Sequence, residues 1–135
     1  MLQELKQREK EGRPINVGLI GCGAMGLGIA YQIGKTPGMR LSFVADWNPQ
    51  AAQRGAEVYG KPTRVLTDGL AALKDERIEC DVFVEATNSI IAAYDYCLAA
   101  IQRKAHCVLM NAEVDAILGY LLRAEAADIR RIRRF

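Results

Sequence analysis

Apolar positions along the chain follow two alternating patterns. Short, nearly continuous apolar runs stand at residues 15–20, 41–45, 64–66, 81–86 and 106–110, the third of them short and weak. The intervening segments carry helical spacing instead. Segment 25–35 follows the first run and 49–59 the second, with Asn48 placed as an N-cap and Pro49 at the first helical position. Asp68 precedes a helix over 69–77, and Ser89 precedes one over 90–104. In the latter, Ile90, Tyr94, Cys97 and Ile101 recur at a 3.6-residue period, and Arg103 and Lys104 sit at the C-terminal end. After the fifth run, Val114, Ile117, Leu118, Leu121 and Leu122 match the amphipathic helix template at every position. A charged helix over 2–11, anchored by Leu2 and Leu5 and closed by Gly12 and Pro14, leads the chain.

Strand and helix therefore alternate five times. Runs that are apolar throughout predict strands covered on both faces. The expected fold is a Rossmann-type, doubly wound parallel α/β sheet of about five strands, with a helical segment 1–13 ahead of a single domain over 14–135.

Composition narrows the function classes. The chain has 135 residues, half of them apolar and a quarter charged, as in a globular protein with one core. A net charge of +2 gives no electrostatic case for nucleic acid or a membrane surface as partner. The first twelve residues are charged throughout and lack the apolar core of a signal peptide, and no apolar stretch reaches the roughly eighteen residues of a bilayer span. The expected compartment is the cytoplasm. Four cysteines, Cys22, Cys80, Cys97 and Cys107, lie far apart, so no metal-ligand spacing is present and none is expected to bind a metal. Cys80, Cys97 and Cys107 read as core residues, and Cys22 as a small filler rather than a reactive thiol. The single histidine, His106, opens a strand and reads as structural. The terminal stretch "IRRIRRF" reads as a solvated helix end more readily than as a basic recognition tail.

The chemistry concentrates in "INVGLIGCGAMGLGIA". Here G-x-G-x-x-G follows a strand and opens a helix, the context in which it binds a dinucleotide. Gly21 permits the tight turn, Gly23 lets a pyrophosphate approach the backbone, and Gly26 lets the helix pack on its strand. The helix N-terminus then offers free N–H groups and partial positive charge. Twenty residues beyond Gly26 stands Asp46, at the end of the second strand, where a carboxylate accepts from the adenosine ribose hydroxyls. Trp47 and Asn48 follow, with no arginine, which favours NAD over NADP; Lys61 and Arg64 are the cations that would reverse this preference. At the ends of the fourth and fifth strands, Ala86, Thr87 and Asn88 are expected beside the dinucleotide, and Asn111, Ala112 and Glu113 near the nicotinamide. Asn88, Ser89 and Asn111 can equally cap helices, and both roles are compatible.

The glycine motif, "VEATNS" and "VLMNAEVDAILGYLL" together resemble the N-terminal NAD(P)-binding domain of homoserine-dehydrogenase-like oxidoreductases that carry a further SAF-type domain, the group that includes deoxyxylulose-phosphate-reductoisomerase-like enzymes. The resemblance covers nearly the whole chain. It implies an NAD(P)-dependent oxidoreductase with cofactor contacts at Gly21, Cys22, Gly23, Ala24, Met25, Gly26 and Asp46, acting on a small polar substrate. Homoserine dehydrogenases tend to carry a lysine just after the fifth strand, where this chain has Asn111-Ala112-Glu113, so homoserine chemistry is not carried over. The catalytic residues stay unassigned. A substrate domain is expected outside these residues, with the chain being a fragment or a shortened product. The apolar positions of the last helix are expected to pack on a sixth strand outside these residues or on a partner chain, and a homo-oligomer is expected. The alternative from another class is a stand-alone nucleotide-binding module such as an NADH redox sensor.

Overall fold

A computed structural model describes residues 1–132, with side chains described through Ile129, so the reading of the terminal arginines lies outside the described residues. The elements run α1 (Leu2–Lys10), β1 (Ile15–Ile20), α2 (Ala24–Lys35), β2 (Met39–Ala45), α3 (Pro49–Tyr59), β3 (Arg64–Leu66), α4 (Gly69–Lys74), β4 (Val82–Glu85), α5 (Ile90–Gln102), β5 (His106–Leu109) and α6 (Ala112–Ile132). All strand pairs are parallel, in the order β3-β2-β1-β4-β5. The chain reverses direction across the sheet at β1, leaving a crevice between the carboxyl ends of β1 and β4.

Helices cover both faces. Val17, Leu19, Leu41, Val44 and Val84 pack with Ala30 and Ile33 of α2 and Ala51 and Tyr59 of α3. Ile20, Phe43, Ala45 and Phe83 pack with Leu73 of α4, Ala93 and Cys97 of α5, and Val114 and Leu122 of α6. Burial on two sides explains why the central strands read as unbroken apolar runs. The edge strand β5 instead alternates exposed and half-buried residues. Gly18 has a packing role: a Cβ there would lie 2.3 Å from the Phe43 ring, beside a register shift between Val17 and Gly18. The leading helix is docked through buried Leu5, whose carbonyl leaves room only for a glycine at Gly38, at a φ of +73°.

Local capping follows the expected residues. Asn48 accepts from the N–H groups of Gln50 and Ala51, Asp68 from Ala71, and Ser89 from Ala92. The helix predicted over 90–104 ends at Gln102, with Arg103 as its C-cap, and two further helices differ more from expectation. The helix after Asp68 stops at Lys74 instead of reaching residue 77, because Asp75 turns back to accept from the Arg77 N–H and the Arg103 guanidinium takes the carbonyls of Leu73 and Ile78. In α6, Val114 and Leu122 are buried, but Ile117 and Leu121 are exposed, since among the described residues the helix packs mainly on α5 and the β5 edge. Cys22 and Cys97 are buried, whereas Cys80 and Cys107 are only half-buried.

Candidate functional site

The three motif glycines are bare for different reasons. Gly21 has a φ of +103°, and a Cβ on it would lie 2.5 Å from the Ala86 carbonyl. A Cβ on Gly26 would lie 1.8 Å from the Gly21 oxygen. The fold itself therefore demands both. Around Gly23 nothing lies within 4 Å of where a Cβ would be, and its backbone is extended, a conformation open to any residue. Gly23 is the N-cap of α2, with no side-chain cap and no acidic residue in the first turn. Exposed Ala24 and Met25 continue that turn. The result is an uncapped positive helix end facing a space that a side chain would fill, and the residues present fit a bound pyrophosphate.

Asp46 closes one side. Its Oδ2 accepts from the Cys22 N–H at 2.8 Å and its Oδ1 from the Asn48 N–H at 2.9 Å, tying the end of β2 to the glycine turn and to the α3 cap. A carboxylate has about four acceptor positions, so this half-buried group retains capacity for hydroxyl donors. Trp47 is 86% exposed beside it. Burial, with the Asp46 charge adding to it, pushes the Cys22 thiol up to about 12 against the opposing pull of Arg54, so Cys22 is a filler and not a nucleophile. Gly55 of α3 makes room for its sulfur.

The end of β4 supplies the opposite side. The Ala86 N–H donates to Ile20 O, which joins this loop to β1, and Thr87 donates through both its N–H and its hydroxyl to Glu85 Oε1. Asn88 is exposed, and the capping role falls to Ser89. One strand further out, Asn111 Oδ1 accepts from the Val114 N–H, so Asn111 does cap α6, while Glu113 lies exposed in its first turn. The sequence-predicted positions thus share the carboxyl edge of the sheet, with residues 21–26, 46–48 and 86–88 around the β1–β4 crevice and Asn111 and Glu113 at the next strand end. Arg64 does not join them; with Arg40 and Arg77 it lines a cleft toward the amino edge. His106, the first residue of β5, is likewise at the amino edge.

Sequence reasoning missed two residues. Glu85 is fully buried, its Oε2 has no partner, and burial raises its carboxyl above the usual range despite the opposing Thr87 bonds. Its signal was present, a carboxylate ending the apolar run "DVFVE". Arg54 is the second. Its charge is felt at Cys22, beside Asp46, and nothing in the local pattern of a surface helix distinguishes it.

Comparison with known proteins agrees with this geometry. No curated protein matches the sequence. Among solved structures, the WlbA dehydrogenase from Bordetella pertussis, in complex with NADH and UDP-GlcNAcA, superposes with a TM-score of 0.69 at 23% identity, over 86% of this chain and 35% of that one. A homoserine dehydrogenase from Thiobacillus denitrificans gives 0.65 at 25% identity, over 85% of this chain and 27% of the other. A 3-ketoreductase from Actinomadura kijaniata with NADP gives 0.68 at 20% identity, over 85% and 36%. The chain thus spans about a third or less of the length of these structures. The likenesses to the first and third are of fold alone. The family model described as the homoserine dehydrogenase NAD-binding domain matches residues 21–132, from the first motif glycine to the end of α6. With that match over most of its length, the chain belongs to the homoserine dehydrogenase NAD-binding domain family.

Proposed function

We propose that residues 14–135 are the dinucleotide-binding domain of an oxidoreductase that transfers hydride between nicotinamide and a small polar hydroxy or oxo substrate. The observation that carries this reading is Gly23, a glycine the fold does not need, at an uncapped helix end. In this reading the backbone of Gly21, Cys22, Gly23, Ala24, Met25 and Gly26 holds the pyrophosphate. Asp46 takes the ribose hydroxyls, with Trp47 and Asn48 flanking the adenosine. Ala86, Thr87 and Asn88 run beside the dinucleotide, and Asn111 and Glu113 border the nicotinamide. When bound, the nicotinamide supplies the hydride chemistry, and this chain's share is binding, orientation and electrostatics.

NAD is preferred over NADP in this proposal. The Asp46 carboxylate repels a 2′-phosphate, and Arg64, which could have offset it, lines the amino-edge cleft. Arg54 is the cation against which this preference is tested. The substrate is contacted mainly by residues outside this chain, and a second copy covers the exposed apolar residues Ile117, Tyr120 and Leu121 of α6. The proposed compartment is the cytoplasm; among the described residues, no helix is long and apolar enough to cross a membrane.

Titration of the chain with NADH and NADPH, followed by nicotinamide fluorescence, tests the proposal. NADH is expected to bind more tightly than NADPH, and Gly23→Val to abolish binding while the circular dichroism spectrum stays that of the parent. Binding of NADH by Gly23→Val as tight as by the parent overturns the assignment of the glycine turn.

A further inference from the structure

We propose that Glu85 is a positioning residue that couples dinucleotide binding to the uptake of one proton, by holding the β4–α5 loop against the glycine turn. The inference rests on the cofactor reading above and goes beyond it, since Glu85 itself touches neither the pyrophosphate nor the ribose in that reading.

The geometry runs through three contacts. Glu85 Oε1 accepts the N–H and the hydroxyl of Thr87. The Ala86–Thr87 peptide so held is the backbone against which Gly21 packs, with the Thr87 nitrogen 2.8 Å from where a Gly21 Cβ would be. The Ala86 N–H is bonded to Ile20, so the loop is tied to β1 on its other side. Removing the carboxyl would free the loop that forms one wall of the crevice.

The two carboxyl oxygens are unequal. Oε1 already has two donors, while Oε2 is buried without any partner, so Oε2 is the oxygen that takes the proton when the carboxyl is protonated. The surroundings offer no compensating charge. From α5, Tyr96 and Cys97 lie within reach of the Glu85 charge, and the charges of Asp46, Asp68 and Asp95 are felt at the same Tyr96. From β5, Cys107 stands beside Cys97, and the end of that strand carries neutral Asn111, whose Nδ2 is also buried without a partner. From β1 the neighbour is apolar Ile20, and from the first turn of α6 the charges are Glu113 and Asp115. Among the described residues no lysine or arginine forms an ion pair with Glu85. In the cofactor reading, a doubly charged pyrophosphate held by the glycine turn would add negative charge to this setting and raise the proton affinity of Glu85 further. Binding and protonation therefore favour each other.

The test is titration of the full chain with NADH from about pH 5.5 to about pH 8.5, comparing the parent with Glu85→Gln, which keeps an acceptor for Thr87 and cannot ionise. Parent affinity is expected to fall with rising pH, by up to about tenfold per unit between the free and bound pKa values. Glu85→Gln is expected to show a flat profile near the parent's low-pH affinity. Should Glu85→Gln fail to fold, calorimetry of the parent in two buffers of different ionisation enthalpy reads the same coupling as net proton uptake. Three results overturn the proposal: a Glu85→Gln profile that tracks the parent's, a folded Glu85→Gln that does not bind, or parent binding with no proton uptake. Absence of NADH binding by the parent at every pH overturns the cofactor reading as well, which distinguishes the two failures.

Discussion

Replacing Gly26 with alanine separates the structural glycine from the one kept bare for a ligand. A Cβ at position 26 falls 1.8 Å from the Gly21 carbonyl oxygen and 2.8 Å from its carbon. Carbon and oxygen pack at roughly 3.3 Å, so α2 must move away from the turn by roughly 1.5 Å. The obstructing atoms are backbone, and no rotamer change relieves them, which puts the cost near the upper end of overpacking, about 3 kcal/mol. Alanine's helix preference returns about 1 kcal/mol. The net loss is about 2 kcal/mol, or roughly 6–10 °C in melting temperature for a chain of this size. Gly23→Ala is the matched control. Its Cβ meets nothing, so it costs at most the modest N-cap preference, about 1 kcal/mol or less. The same Cβ enters the space assigned to the pyrophosphate, and NADH affinity is expected to drop about tenfold or more, equivalent to about 1.4 kcal/mol. Thermal melts by circular dichroism and fluorescence titration read the two effects separately. A Gly26→Ala chain that melts at or above the parent temperature refutes the packing argument.

Other substitutions probe the surrounding frame. Asp46→Ala removes the acceptor for two backbone N–H groups and for the ribose, so NADH binding should weaken by about 1–3 kcal/mol and the NADPH-to-NADH affinity ratio should rise; unchanged NADH affinity would remove Asp46 from the site. Arg103→Met leaves the carbonyls of Ala72, Leu73, Asp75 and Ile78 without their shared donor and should cost about 2–3 kcal/mol in urea unfolding, with Arg103→Lys recovering little because one ammonium cannot span them. Glu85 should also give stability an acid-favouring slope. Its folded pKa lies above the ordinary value of 4.5, so the folded chain binds more protons than the unfolded one between the two, and stability falls as pH rises through that window. Melts of Glu85→Gln across the same pH range should lack that slope, and persistence of the slope would assign it to another group. Asp75, lowered to about 2 by its Arg77 partner, contributes in the opposite direction and at lower pH, where its stabilisation is lost as pH falls.

What could be read from the sequence alone was whatever the chain decides within a few residues. β1, β3 and α3 lie where the pattern predicts, and β2 and β4 within two residues of it; for the central strands β1, β2 and β4 the reason is that a strand covered on both faces is apolar nearly throughout. Asn48, Asp68 and Ser89 cap their helices as expected, since a cap needs only a side-chain oxygen two or three residues from an N–H. The spacing from the glycine turn to Asp46 placed both at the crevice for a similar reason, one helix and one strand being a near-constant length of chain. Contacts between distant residues were not legible. The guanidinium that ends α4 comes from Arg103, 30 residues away from Leu73, and no local signal in "GLAALKDER" announces it. The sequence offers Asp46 as a candidate ribose ligand, but its bonds to Cys22 and Asn48, which hold the turn itself, require β1 and β2 to be adjacent. The exposure of Ile117 and Leu121 depends on what stands opposite α6, and a helical period specifies a face without specifying its cover. Glu85 shows the same division. Its position at a strand end was visible, but its complete burial, its lone bonded oxygen and its place behind the Ala86–Thr87 wall arise only when β4, β5 and α5 close around it, because desolvation is a property of the assembled core.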